Sequence, residues 1–578
     1  MMRTILGFVT LWLIPGISVG QENPSLPDLA PHVVEITGDL SISFPSLRRQ
    51  PLVGFNPPPR VPEIPSSRHP FLELYKQATD DLPPSPLSPP QPPDVSTLAN
   101  RTPNDGLFEA GVGRYLERYL RAHLSVPVAE QTSLVLSARY LGSDGYEPFS
   151  SNPSISSGSD SEHLSAGINH RAGSILVGGK LGLHRSAFSL FGSEHSSGSA
   201  LALNPDRTVS GWNLSAYLGT RPGSPVAARL SLGTGRTDVE TDLFDAAQQS
   251  IRPFLQREGQ FSLDGSLRAP INDSHAFFTG HLLIQKLEPD GSKENKISSG
   301  QVAGRFRLFP GDGLTLDAGL SILGFDAEGQ SRSGEDRSLV FLSPDIRLTY
   351  SLRPGTDLVF SNEPELSRST IRDVYFLAPY IEDNPAIQPV LTPVHLSGKI
   401  NLYNEFIHAT ASIGLKAVEN FRVIESPPGP FKGFDRGYLS VDYESATVTY
   451  LDGSITATLS PGVQANAEIA FRRGRLDRSD SIIPYFSPVT FGGSVVLGMF
   501  DGRLSLKLLA RGESARYRDR NKSEKVGSLL LFDTEGTWYL TDQAGITFGI
   551  RNLGGNTEFW DNYEIESTVV YTGARWRW

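Results

Sequence analysis

From Gly106 to its last residue, Trp578, the chain alternates apolar and polar residues with period two, almost without pause. In "PVHLSGKINLY", Val394, Leu396, Gly398, Ile400 and Leu402 form one row, and His395, Ser397, Lys399 and Asn401 the other. "DIRLTYSLRP" sets Ile346, Leu348, Tyr350 and Leu352 against Arg347, Thr349 and Ser351. "QVAGRFRLF" and "GRLSLKL" repeat the arrangement, with Arg305, Arg307, Arg503 and Lys507 in the polar row. Each such segment is a strand with one apolar and one polar face. A chain built this way must pair every strand and give its apolar row something other than water to face.

A soluble β-sandwich also alternates, but three features separate this chain from one. Connector length itself alternates. Tight turns stand at 129–131, 171–173, 221–224, 270–274, 310–313, 353–356, 403–405, 460–462, 501–502 and 541–545. Between them lie long polar loops such as 142–161 and 361–389. Short periplasmic turns and long outer loops are the habit of a transmembrane barrel. Many strands also run past about ten residues, enough to cross a bilayer at a tilt of about 45°. The third feature is that no helical segment interrupts the repetition. The ten turns define 20 strands, and the terminal segment 567–578 makes 21. An even barrel needs one more upward strand, which "GLFEAGVGRY" (106–115), running into 116–128, supplies. The expectation is an all-β, antiparallel transmembrane barrel of 22 strands, with 20 or 18 if weak segments are misread.

The membrane explains the two faces. In hydrocarbon every backbone N–H and C=O must be paired internally, which leaves helices and closed barrels. Arg or Lys at the bilayer midplane costs about 2–4 kcal/mol. Turning the basic row inward avoids that cost and predicts a wet, charged lumen. Low hydrophobic content, 38%, with 56 glycines, suits a hollow object whose inside meets water. Closure requires the last strand to pair with the first. In "STVVYTGARWRW" this puts Val570, Thr572, Ala574, Trp576 and Trp578 toward lipid and Arg575 and Arg577 inward.

The N-terminal region reads differently. Residues 1–20 carry Arg3, an apolar run from Thr4 to Ile14, and small residues before Gln21, the pattern of a secretory signal cleaved after Gly20. Between Gln21 and Asp105 fall 19 of the 43 prolines, as in "NPPPR" and "LPPSPLSPPQPPD". Proline fixes φ and removes a donor, so 21–105 is expected to be an extended periplasmic segment. Only 32–44 and 69–79 have the pattern of a short strand and a short helix. The absence of cysteine excludes disulfides and thiolate metal sites. The net charge of −11 with no basic tract argues against nucleic acid as a partner. The partners expected are outer-membrane lipid, the barrel-assembly machinery, and a periplasmic or outer-membrane protein met through 21–105.

Three stretches resemble the barrel of the TonB-dependent receptor superfamily. These are "GVGRYLERYLRAHLSVPV" with "LSARYLGSDGYEPF", then 369–404 with Asn384, Pro385 and Pro389 in an "NP-x-x-x-P" element, and 546–578 with Asn552, Leu553 and a terminal aromatic. The resemblance implies a 22-stranded outer-membrane barrel that takes up solutes. It also implies that Trp576 and Trp578 form the closing strand and the signal read by the assembly machinery. Receptors of that family place a globular plug before the barrel, whereas only about 85 Pro-rich residues precede this one and no plug pattern stands among them. "HVVEIT" (32–37) is only loosely similar to the family's short energy-coupling box. A plug-less barrel acting with a partner, a passive porin and a structural platform therefore all stay open.

No catalytic constellation, cofactor site or metal site emerges, so an enzyme is not expected. His163, His170, His184 and His195 fall near consecutive strands but read as polar lumen residues. "DRSDS" (477–481) and "GEDR" (334–337) read as solvated loops rather than calcium loops. The candidate ligand residues are Tyr375, Phe376 and Tyr380, because they cluster in the longest outer loop, which is long enough to fold over the lumen mouth.

Overall fold

The computed structural model describes residues 106–578 apart from 148–155, 191–205, 222–223, 246–249, 273, 292, 312, 330–335, 427–438, 461, 555–557, 561–562 and 565. The signal segment, the Pro-rich segment, "HVVEIT" and His195 lie outside the described residues.

The strands follow the alternation. They are β1 (Gly106–Gly113), β2 (Glu117–Ala129), β3 (Thr132–Ser143), β4 (Ser159–Ala172), β5 (Ile175–Ser189), β6 (Asp206–Thr220) and β7 (Ala227–Asp245). Then come β8 (Ser250–Ile271), β9 (Ser274–Pro289), β10 (Asn295–Gly311), β11 (Leu314–Ala327), β12 (Arg337–Arg353), β13 (Thr356–Asn362) and β14 (Val390–Tyr403). The last eight are β15 (Ile407–Glu425), β16 (Ser440–Ser460), β17 (Val463–Leu476), β18 (Val489–Met499), β19 (Leu504–Glu513), β20 (Leu529–Tyr539), β21 (Ala544–Arg551) and β22 (Val569–Arg577). The main sheet has 23 strands, one of them only Glu365–Ser367, so 22 form the wall. Each pairs antiparallel with its neighbour, and β22 pairs with β1 from Leu107↔Arg577 to Gly113↔Tyr571, closing the barrel.

At this seam Gly106 N donates to Trp578 O (3.1 Å) and Trp578 N to Gly106 O (3.2 Å). A side chain at 106 would run into the Trp578 indole, so glycine allows the two chain ends to meet. Between β1 and β2 the chain turns sharply at Arg114–Leu116, with Tyr115 at φ 61° and Leu116 at φ 50°. The outer connectors are therefore not uniformly long. This one and 290–294 are short.

The outward row is apolar and exposed, as hydrocarbon requires: Val302 (62%), Leu320 (56%) and Leu342 (67%) stand on three adjacent strands. Exposed Phe309, Phe406, Phe500, Trp538, Trp576 and Trp578 cluster next to the short turns, the place of an interfacial aromatic girdle. Arg305 and Arg307 point inward, where Arg307 Nε donates to Asp317 Oδ1 (2.6 Å) and Arg305 lies 3.6 Å from Asp345. Arg503, expected in the inward row, instead sits in the turn before β19, where Arg503 N bonds Phe500 O (3.1 Å).

The inner face is not uniformly wet. Along β11 the inward residues run Asp317, Ser321, Leu323, Phe325, Ala327, so polarity ends toward the outer rim. Val209, Val239, Leu287 and Ile297 on neighbouring strands are likewise inward, apolar and buried. Above the membrane the outer face meets water and the inner face meets loops, so the apolar row changes sides.

Candidate functional site

What covers that apolar inner rim is the segment between β13 and β14. Besides the short strand Glu365–Ser367 it holds α1 (Ile371–Leu377), the only α-helix among the described residues and one the alternation pattern gave no reason to expect. Thr370 and Asp373 form a capping box: Asp373 N donates to Thr370 Oγ1 (3.1 Å) and Thr370 N to Asp373 Oδ2 (3.0 Å). Two orphan amides are satisfied, enough to start a helix too short to persist by itself. Apolar burial does the rest. Ile371, Ile381 and Ile387 are fully buried, each contributing about 1.5–3 kcal/mol, more than the cap's contribution of about 1 kcal/mol.

Polar side chains projecting from the wall hold this segment by its backbone. Gln301 on β10 donates to Pro364 O (2.8 Å) and accepts from Leu366 N (3.0 Å). Gln285 on β9 donates to Ser369 O (2.7 Å) and to Glu258 on β8, whose other oxygen accepts from Ile371 N (2.9 Å). Asn384 adopts φ 53°, a left-handed turn that asparagine tolerates, and redirects the chain before Pro385. On the return, Asn420 donates to Pro389 O (2.7 Å) and Tyr443 OH to Ala386 O (3.1 Å).

Arg207, at the outer end of β6, is the central anchor. It is fully buried and donates to Thr241 Oγ1 (2.9 Å), Pro379 O (2.7 Å), Ile381 O (2.6 Å) and Asp383 Oδ1 (2.8 Å). Its guanidinium carbon lies 4.4 Å from the centre of the Tyr375 ring. Such a buried cation is tolerated because every face of it meets an acceptor or a π-system.

The segment also meets the other outer loops. Ile381 bridges to Leu439, just before β16, and Tyr380 stacks on Tyr563 and lies edge-on to Phe188. Tyr485, before β18, packs edge-on against Trp560, and Val526 and Leu529 join the same cluster at the start of β20. One apolar cluster therefore runs from the β5–β11 wall to the loops that precede β16, β18, β20 and β22. It caps the mouth above a polar inner wall.

Of the candidate ligand residues, Tyr375 is 2% exposed and donates to Glu382 O (3.2 Å), Tyr380 is packed into the cap, and Phe376 is 57% exposed beside the exposed Arg372 and Asp373. Trp576 and Trp578 stand on the outer face of β22. On the inner face of that strand Arg575 pairs with Glu109 (2.8 Å) across the seam and with Glu535 (3.4 Å) on β20. His163 and His184 are direct cross-strand partners, while His170 bonds Thr132 Oγ1 (2.9 Å) near the opposite rim. Arg207, Glu258, Gln285 and Asn420 escaped sequence reading, since each is one more polar residue in an alternating strand. The capping pattern at Thr370 and Asp373 was the one local signal that could have exposed α1.

No protein-family model and no curated protein matches the sequence. Solved structures do match in fold. The FrpB iron transporter from Neisseria meningitidis (F3-3 variant) superposes with TM-score 0.64 at 10% identity, covering 83% of this chain and 82% of that one. The copper transporter OprC gives 0.61 at 12% identity, covering 82% and 80%. A variant of the ferric enterobactin receptor PfeA from Pseudomonas aeruginosa gives 0.59 at 13% identity, covering 82% and 80%. The fold is that of the large outer-membrane barrels of the TonB-dependent receptor type, and the apolar girdle assigns it to the outer membrane.

Proposed function

We propose that this protein carries a solute across the outer membrane, with the cap built around residues 363–389 acting as its outer gate. The carrying observation is a closed barrel whose polar inner wall is covered at the outer end by loops held through Arg207, Glu258 and Gln285. A wall of 22 strands encloses far more room than its own side chains fill. The fold's likeness to proteins described as an iron transporter, a copper transporter and a ferric enterobactin receptor supports uptake rather than catalysis. Phe376, with Arg372 beside it, is the exposed part of the cap and the residue offered to a ligand. A periplasmic or outer-membrane partner met through residues 21–105 belongs to the same reading, because a barrel alone supplies no energy.

Liposome swelling tests passage. Protein reconstituted without residues 364–386 is expected to admit small sugars faster than the full chain. If both forms leave liposomes impermeable, passage is wrong and a structural platform, which the packed cap also suits, takes its place.

A further inference from the structure

Hydrogen-bonded register places one row of inward residues across the wall: Arg575, Glu109, Arg121, Arg139, His163 and His184. Barrel strands tilt by about 35–45°, so a row perpendicular to them climbs obliquely. This one starts three residues from the C-terminal end of the chain, at the seam, and rises toward the cap. Glu109 is taken up by Arg575. Of the four positions that follow, Arg121 and Arg139 carry fixed positive charge, and His163 and His184 are imidazoles close enough to the exposed Arg372 on α1 to feel its charge.

The composition of this sector sets it apart. Inward residues of β3 to β7 below the cap include Arg139, His163, Lys180, His184 and Arg229, and no carboxylate among the described residues. Acidic residues on these strands, such as Asp160, Glu162 and Asp238, belong to the outward row. In a chain of net charge −11, a wall about 19 Å across thus carries only basic residues among its charged inward positions below the cap, of those described. Arg139, Lys180 and Arg372 have no ion-pair partner among the described residues. Like charges directly opposite in a sheet are destabilising, yet Arg121 and Arg139 are direct partners. The positive charge of Arg139, Lys180 and Arg372, facing water in a low-dielectric shell, concentrates anions.

We propose that the inner wall of β3–β7, with Arg372 above it, is a binding track for oxyanions, so that the solute carried bears carboxylate or phosphate groups. As a statement of solute chemistry for the passage pathway it rests on the reading above; binding itself can be measured without it. The test uses the purified full chain in detergent at low ionic strength, titrated calorimetrically with citrate and separately with inorganic phosphate. The triple variant Arg139→Gln, Lys180→Gln, Arg229→Gln breaks no ion pair, though it removes the Arg229 contact with the Tyr217 ring, and its circular dichroism and heat-modifiable migration check folding. Saturable binding of either anion is expected, weakened about tenfold or more in the triple variant and unchanged in Lys416→Gln on the far wall. Binding of citrate alone assigns a polycarboxylate, and of phosphate alone a phosphate group. No saturable binding of either, or equal affinity in the triple variant, overturns the track. Liposomes separate the two ideas. Swelling with a neutral sugar but no anion binding removes the track and keeps passage, while anion binding without swelling in any solute does the reverse.

Discussion

Arg207 and Asp383 are 176 residues apart in sequence and 2.8 Å apart in the fold, both buried, joining the barrel wall to the cap. The pair lets the loop after α1 be read as part of the structure rather than as a connector, and it is one of several buried anchors that hold the cap.

Replacing Arg207 with alanine leaves Asp383 and two backbone carbonyls buried without their donor. Breaking a buried pair from one side costs about 3–5 kcal/mol. The cost is expected to fall on cap docking, since the barrel's backbone pairs are untouched. Amide exchange of residues 371–387 should accelerate by two orders of magnitude or more. If exchange there stays at the wild-type rate, the anchor has been misidentified.

The capping box makes a smaller contribution. Thr370→Ala is expected to cost about 1 kcal/mol, raising exchange at Val374 about fivefold with barrel strands unchanged. An effect as large as that of Arg207→Ala would contradict the ranking of burial above capping.

Burial holds the Tyr375 phenol well above its ordinary value, against the milder pull of Arg207. The docked cap therefore binds the phenolic proton more tightly than the undocked one. Docking is at full strength below about pH 10, the ordinary tyrosine value, and weakens as pH rises past it. Protease cleavage within 371–387 should rise in that alkaline range, and Tyr375→Phe should reduce the rise, leaving the part due to Tyr380, whose phenol is also raised by burial. A profile identical in both proteins would show that another group is responsible.

At the seam, Trp578 supplies two backbone hydrogen bonds to Gly106 and an outward indole. Deleting it is expected to reduce membrane-assembled barrel several-fold, while Trp578→Phe retains most of the yield, because an interfacial aromatic and the backbone pair both remain. Heat-modifiable migration of outer-membrane extracts reads the assembled fraction. Full assembly after the deletion would remove Trp578 from the assembly signal.

Leu320 lies on the outer face of β11, 56% exposed, about midway between the turn and the outer rim. Leu320→Arg is expected to cost about 2–4 kcal/mol in reversible folding into bilayers. A neutral result would mean that this face does not meet hydrocarbon.

Period-two alternation was enough to define strands, faces and closure, because in a barrel those depend on short-range pattern and on pairing each strand with the next. Arg575 and Arg577 could be turned inward, and Val302 and Ile346 outward, from sequence alone. Alternation says which side of the wall a residue takes, but not what stands opposite it across the lumen. Leu323, Phe325 and Ala327 continue the inward row of Asp317, and nothing local announces that they lie above the membrane against a loop. Tyr375, read as a recognition aromatic from its loop, is buried by that same contact. Arg207, Glu258 and Asn420 hold the cap through partners more than 30 residues away. The sequence by itself determined the barrel, its two faces and its seam, since hydrocarbon and backbone pairing leave one solution to that pattern. Only the tertiary structure decided the cap and the basic wall, since both arise from side chains brought together across strands by tilt and register.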